Sequence, residues 1–103
     1  MDKEFIIKRI RTVNEKYQRE GFLISSLFGS YARDEADEYS DIDLTYTINH
    51  DKFFKDDAFA KLDKIDLIKK ELSAIFHKKI DLIPSNTSNT LIQKSLQKEQ
   101  ISI

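Results

Sequence analysis

The 103-residue sequence contains no cysteine, which excludes disulfides and thiolate metal sites and leaves oxygen ligands to do any metal binding. It also lacks an excess of positive charge. Seventeen basic side chains against 18 acidic ones give a formal net charge of -1, without the broad basic field that long nucleic acids attract. A polymeric nucleic acid substrate is therefore disfavoured. No segment is apolar for long enough to span a bilayer. The first residues, Met-Asp-Lys-Glu-Phe-Ile-Ile-Lys, place acids where a secretory signal needs a basic start, and the apolar run behind them is short. These absences point to the cytoplasm.

What is present fits one small globular domain spanning residues 1–103. Hydrophobic residues at 40% and aromatics at 11% argue against disorder, while 34% charged residues make the surface heavily ionic. A chain of this size buries roughly 60 to 65% of its extended surface on folding, enough for one core with little surplus.

Ile6, Ile10, Val13 and Tyr17 recur at helical spacing, so Asp2 to about Arg19 reads as an amphipathic helix closed near Gly21. Phe22 to Phe28 is a short apolar run bounded by glycines, a buried strand. Gly29 ends it, and Ser30 is placed to cap a short helix through Tyr31, Ala32 and Arg33, with Glu35 and Asp37 in its early turns. Asp41 to Ile48 is the second strand, rich in β-branched and aromatic residues. Phe59, Leu62, Ile65, Ile68, Leu72, Ile75 and Phe76 mark a long crossover helix. Lys79 to Ile83 is a third strand, stopped by Pro84, which cannot donate to a ladder. Ser85 to Asn89 offers helix caps, Leu91 to Lys98 forms a last helix, and Ile101 to Ile103 a final edge strand. The alternation implies an α/β fold with a small mixed β-sheet packed by helices, since one strand connection is short.

The most informative feature is Gly29-Ser30, ten intervening residues, then Asp41-Ile42-Asp43. Side chains alternate along a strand, so Asp41 and Asp43 share a face while Ile42 and Leu44 share the other. Two like charges held together call for a bound cation, and Asp81 on the third strand can supply a third carboxylate. Three acidic oxygen donors suit a hard ion such as Mg²⁺, which takes further ligands from substrate phosphates. The Gly29-Ser30 turn offers backbone N–H groups and a hydroxyl to a phosphate. Together they would hold a nucleoside triphosphate, and two ions roughly 3.5 to 4 Å apart would activate an acceptor hydroxyl and steady the leaving pyrophosphate.

Phe28-Gly29-Ser30-Tyr31-Ala32-Arg33, Ser40-Asp41-Ile42-Asp43-Leu44 and Ile80-Asp81-Leu82-Ile83 resemble the MNT-type minimal nucleotidyltransferases of the DNA polymerase β superfamily over nearly the whole chain. The resemblance implies a nucleotidyltransferase fold in which Asp41 and Asp43 bind Mg²⁺, Asp81 helps bind it and activates the acceptor, and Gly29 and Ser30 grip the triphosphate. One departure is Asp34, where the family usually has a glycine; a carboxylate there repels phosphates unless it faces away. Larger members carry a second, helical domain that completes the acceptor pocket. The resemblance therefore points to a two-chain system in which a helical HEPN toxin is bound and adenylylated on a tyrosine by the minimal transferase acting as antitoxin, with ATP as donor. It leaves room for homo- or hetero-oligomers. The rivals are a small-molecule nucleotidyltransferase whose pocket is built by self-association, a non-catalytic module that occludes a toxin, and, more distantly, an Asp-x-Asp glycosyltransferase.

Other residues carry less. Arg33 could meet a phosphate or serve as a solvated charge. Asp34, Glu35, Asp37 and Glu38 read as a solvated loop or helix start. Tyr31 could stack a base but is more simply packed. His50 and His77 lack partners at ligand spacing and read as surface residues.

Overall fold

A computed structural model describes residues 1–53 and 58–103, and the side chains of these except at 50 and 58–63. Helix α1 (Lys3–Tyr17) is capped by the Asp2 carboxylate, which accepts from the Phe5 N–H at 2.9 Å. A single 3₁₀ turn, Gln18–Glu20, follows, and Gly21 closes it with φ +86°. A side chain there would crowd the Asn49 carbonyl and Phe53 N–H, each 2.9 Å from a Cβ, so Gly21 is needed for space as well as for its backbone angle.

The strands are β1 (Phe22–Phe28), β2 (Ile42–Ile48), β3 (Ile80–Pro84) and the short β4 (Ile101–Ser102). Their spatial order is β3-β2-β1-β4. β1 runs antiparallel to β2 and β4, and β2 runs parallel to β3. The sheet is thus mixed, as the short β1–β2 connection requires. That connection holds α2 (Gly29–Ala32); the β2–β3 crossover holds α3 (His50–Phe53) and α4 (Ala58–Phe76); α5 (Thr90–Glu99) precedes β4.

One core lies between the sheet and the helices on one of its faces. Ile6, Ile10, Val13 and Tyr17 of α1 join Ile68, Leu72 and Phe76 of α4 against Phe22, Ile24, Leu27, Ile42, Leu44 and Ile80 of the sheet. Tyr17 and Lys16 both bond Glu71, tying α1 to α4 at the rim. Phe28 and Leu96 are buried outside that cluster, α5 lying against β1 and α2.

Several expectations need correction. The cap of α2 is Phe28, and no side chain caps it, so Ser30 is inside the helix rather than before it. That helix ends at Ala32, which leaves Glu35 and Asp37 in the following loop instead of its early turns. β2 begins at Ile42, placing Asp41 one residue before the strand, and β3 includes Pro84, which sits at its last position on a sheet edge where no ladder N–H is required. α3 was not expected; Asn49 initiates it by accepting from the N–H groups of Asp51 and Lys52. The readings of Phe59 and Leu62 in α4 and of His50 as a surface residue fall on side chains outside those described. His77 is exposed and ends α4 with φ +54°.

A bulge in β1 decides which way the end of the strand faces. Ile24 pairs with Tyr46, but the next partnered residue is Ser26, opposite Thr45, so Ser25 is inserted. Ser25 and Ser26 both reach the Thr45 hydroxyl, the former at 2.7 Å. The extra residue moves Leu27 onto the core face and turns Phe28 onto the face shared with its partner, Asp43. On the other side of β1, β4 is too short to reach Ile24. The buried Asn14 amide of α1 takes its place, donating to the Ile24 carbonyl at 2.9 Å and accepting its N–H at 2.8 Å. Asn14→Ala leaves both backbone groups buried and unpaired, and urea denaturation is expected to show a loss of about 2 to 4 kcal/mol. A loss below about 0.5 kcal/mol would mean the strand does not depend on this bridge.

Candidate active site

Ile42 and Leu44 are wholly buried in the core, so Asp43 between them projects from the opposite face of the sheet. The parallel register of β2 and β3 sets Asp43 directly beside Asp81, close enough for the two carboxyl groups to interact. Burial, the interaction with Asp81 and the charges of Asp81 and Asp41 push the Asp43 carboxyl up to about 6, while Arg33 pulls in the other direction.

Gly29, at the end of β1, makes this possible. It has φ +77°, and a Cβ on it would overlap the Asp43 carboxylate. The missing side chain is what lets Asp43 lie against the turn. Gly29→Ala combines left-handed strain with that overlap and is expected to cost at least about 1 to 3 kcal/mol in urea unfolding.

Asp41 stands apart from the pair. Its charge reaches Asp43, but its carboxylate is half-exposed and lies 4.0 Å from Lys79 Nζ. Among the described residues no three acidic or histidine side chains are close enough to form a ready-made metal group. The structure thus brings Asp43 and Asp81 together and leaves Asp41 beside them. The loop carrying Asp41 is fixed: the Asp37 carboxylate accepts from the Tyr39 N–H at 2.8 Å and the Ser40 hydroxyl at 3.2 Å, and Lys78 Nζ donates to the Glu38 carbonyl at 2.6 Å. The Ile42 N–H donates to the Lys79 carbonyl at 3.0 Å, fastening the start of β2 to β3.

Ser30 is partly exposed at the first turn of α2. Arg33 is the cap residue at the other end, with Nε 2.9 Å from Glu35 and Nη1 2.7 Å from Glu99. Tyr31 is buried in the core, so it packs rather than presenting its ring to a base. Asp34 adopts φ +58°, the left-handed region that suits a glycine and that aspartate tolerates. Its carboxylate pairs with Lys3 of α1 at 2.9 Å and is thereby committed to a partner away from the turn's N–H groups. Asp34, Glu35, Asp37 and Glu38 are all exposed, as a solvated loop should be.

Sequence reasoning missed Lys79 and Glu99. The Lys78-Lys79 pair directly before the strand of Asp81 was a usable signal for the first; nothing local marks the second, which reaches the site only through tertiary packing. Cavities of about 310, 230 and 170 Å³ open beside Tyr46 and Asn86, beside Gly21 and Asn49, and beside Arg9 and Ile75, and none of the three is lined by Asp41, Asp43 or Asp81.

The chemistry of the donor set fits a hard cation. A carboxyl whose pKa is raised by two like neighbours is one whose ionised form a divalent ion would favour.

A mixed sheet with carboxylates on adjacent strands and a glycine turn against them defines a class of group-transfer domain, and comparisons agree. The profile of the family described as polymerase beta nucleotidyltransferase matches residues 8–103. "Putative protein adenylyltransferase MJ0126" of Methanocaldococcus jannaschii is 34% identical over 104 residues, covering 98% of this chain and 93% of that protein. "Putative protein adenylyltransferase MJ1217" of the same organism is also 34% identical, with the same coverage. The chain belongs to the polymerase beta nucleotidyltransferase family. Among solved structures, a "putative minimal nucleotidyltransferase" superposes with a TM-score of 0.72 at 24% identity, covering 100% of this chain and 97% of that one. A toxin–antitoxin structure with AMP-PNP gives 0.61 at 19% identity, covering 97% of this chain and 71% of that one. These two support the fold.

Because the Asp43 carboxyl is raised from its ordinary 3.8 to about 6, the folded state binds the proton more tightly than the unfolded chain. Its contribution is therefore fully present below about pH 4 and is lost as pH rises through about 6. Relative to the wild type, Asp43→Asn is expected to gain stability as pH rises through that window, by on the order of 1 kcal/mol after allowing for solvent screening. Thermal unfolding across the window in metal-free buffer checks this; a constant difference would contradict it.

Proposed function

We propose that this chain transfers AMP from ATP to a side-chain hydroxyl of a second protein, a tyrosine of a HEPN-type toxin, and so acts as its antitoxin. The observation that carries the reading is the pairing of Asp43 with Asp81 against Gly29. The names of the Methanocaldococcus relatives support a protein as acceptor, and the toxin–antitoxin neighbour with AMP-PNP supports a toxin partner and an adenine nucleotide donor. No helix among the described residues is long and apolar enough to cross a membrane.

Asp41, Asp43 and Asp81 would hold Mg²⁺, in a two-ion arrangement. When bound, the ion neutralises charge on the triphosphate and favours ionisation of the acceptor hydroxyl. Gly29 and Ser30 bind phosphate oxygens through backbone N–H groups and the Ser30 hydroxyl, with Arg33 adding positive charge. Asp81, on the edge strand, takes the acceptor proton on a carboxylate oxygen. The acceptor oxygen then bonds the α-phosphorus as the bond to the β-phosphate oxygen breaks and pyrophosphate leaves. Catalysis comes from positioning and charge, so the acids matter more than any single proton donor. Acceptor binding is left to the partner.

The test is incubation of this chain with ATP, Mg²⁺ and the product of its neighbouring gene, followed by mass spectrometry of both chains. A nucleotide mass is expected on the partner, with Asp43→Ala reducing its rate at least about a hundredfold and chelation of the metal abolishing it. Modification of a small hydroxyl compound by this chain alone, with the partner unlabelled, would replace the proposed acceptor. Toxin neutralisation that survives Asp41→Asn with Asp43→Asn would mean occlusion without transfer.

A further inference from the structure

Glu99 occupies a position that its own helix does not favour. It is the last residue of α5, where the helix dipole opposes a negative charge, and its side chain is only 13% exposed. Both penalties need a compensating cation, and Arg33 Nη1 supplies it at 2.7 Å. Glu35 binds the same guanidinium through Nε at 2.9 Å. Arginine has five N–H donors in a rigid planar fork, and among the described residues Nη2 makes no hydrogen bond. Two of its three nitrogens are thus held, from different sides, and Nη2 is uncommitted, on a side chain that remains 41% exposed.

Arg33 is also near the reacting end of the sheet. It caps the four-residue helix that begins at Gly29, its own N–H bonding the Gly29 carbonyl, and its charge is felt at Asp43. The clamp from α5 therefore bears on a cation beside the turn and not on a remote surface residue.

We infer that Glu99 is a positioning residue: with Glu35 it fixes the Arg33 guanidinium so that the free Nη2 nitrogen meets the triphosphate of the donor nucleotide at the Gly29-Ser30 turn. This rests on the nucleotidyl-transfer reading above. A free arginine loses rotamer freedom when it grips a phosphate, whereas one already held by two carboxylates has lost it beforehand. The gain is geometric, because the same carboxylates offset part of the charge. The opposite arrangement, in which Glu99 competes with phosphate for Arg33, predicts the opposite sign on removal.

Calorimetric titration of the full chain with Mg²⁺ and either a non-hydrolysable ATP analogue or AMP separates these cases. Arg33→Ala is expected to weaken the triphosphate about tenfold to a hundredfold, the range for a charge-assisted contact, with AMP little changed. Glu99→Ala should weaken the triphosphate about threefold to tenfold and add little on top of Arg33→Ala. Glu99→Gln, which keeps an acceptor oxygen, should recover part of the loss. Tighter triphosphate binding by Glu99→Ala, or equal weakening of AMP and triphosphate with a lowered unfolding midpoint, would overturn the inference. Failure of the unchanged chain to bind the triphosphate would instead overturn the transfer reading on which it stands.

Discussion

Two carboxyl groups on adjacent parallel strands, Asp43 and Asp81, are set side by side, and the charge of Arg33 offsets only part of what burial and their like charge cost. The surrounding structure is arranged to permit that placement. Core packing of Ile42 and Leu44 fixes the face from which Asp43 projects, and the glycine at 29 clears the volume that its carboxylate occupies. Folding to such an arrangement costs free energy at neutral pH. A small domain tolerates that only where a ligand recovers it or where the rest of the core is sufficient.

The bulge at Ser25 belongs to the same constraint. Without the inserted residue, Phe28 would lie in phase with Ile24 and Phe22, on the core face, and the turn that follows would leave the sheet on the wrong side of Asp43. The Asn14 bridge and the Ser25, Ser26 and Thr45 hydroxyl contacts satisfy the polar groups that this irregularity exposes inside the protein. On the far side, α5 closes over β1 and delivers Glu99 to Arg33, so the last helix contributes to the Gly29 end of the sheet as well as to burial.

Much of this was legible in the chain. Helical spacing of Ile6, Ile10, Val13 and Tyr17 located α1, and the apolar run Phe22 to Phe28 gave β1 with its observed ends, because both signals are local and periodic. Asp41, Asp43 and Asp81 were recognisable as one set through the glycine-serine turn and the strand patterns around them, but that Asp43 faces Asp81 more closely than Asp41 does was not. The boundaries of α2 were not: a serine after glycine looks like a cap, yet the strand hands its backbone directly to the turn and Phe28 takes that role. Asp34 was legible only as a departure from a family pattern; its left-handed backbone and its bond to Lys3, thirty-one residues away, required the fold.

Alternation of side chains along strands, together with the punctuation by Gly21, Gly29 and Pro84, is a property of the covalent chain, and it marked most of the elements, the mixed sheet and the candidate acids. Distances between residues far apart in sequence are not such a property. Register between β2 and β3 decided that Asp81 meets Asp43, the orientation of the preceding loop decided that Asp41 lies by Lys79, and docking of α5 decided that Glu99 meets Arg33. Each depends on how separately formed elements pack, where burial of apolar surface selects one arrangement and polar side chains are carried into contact as a consequence.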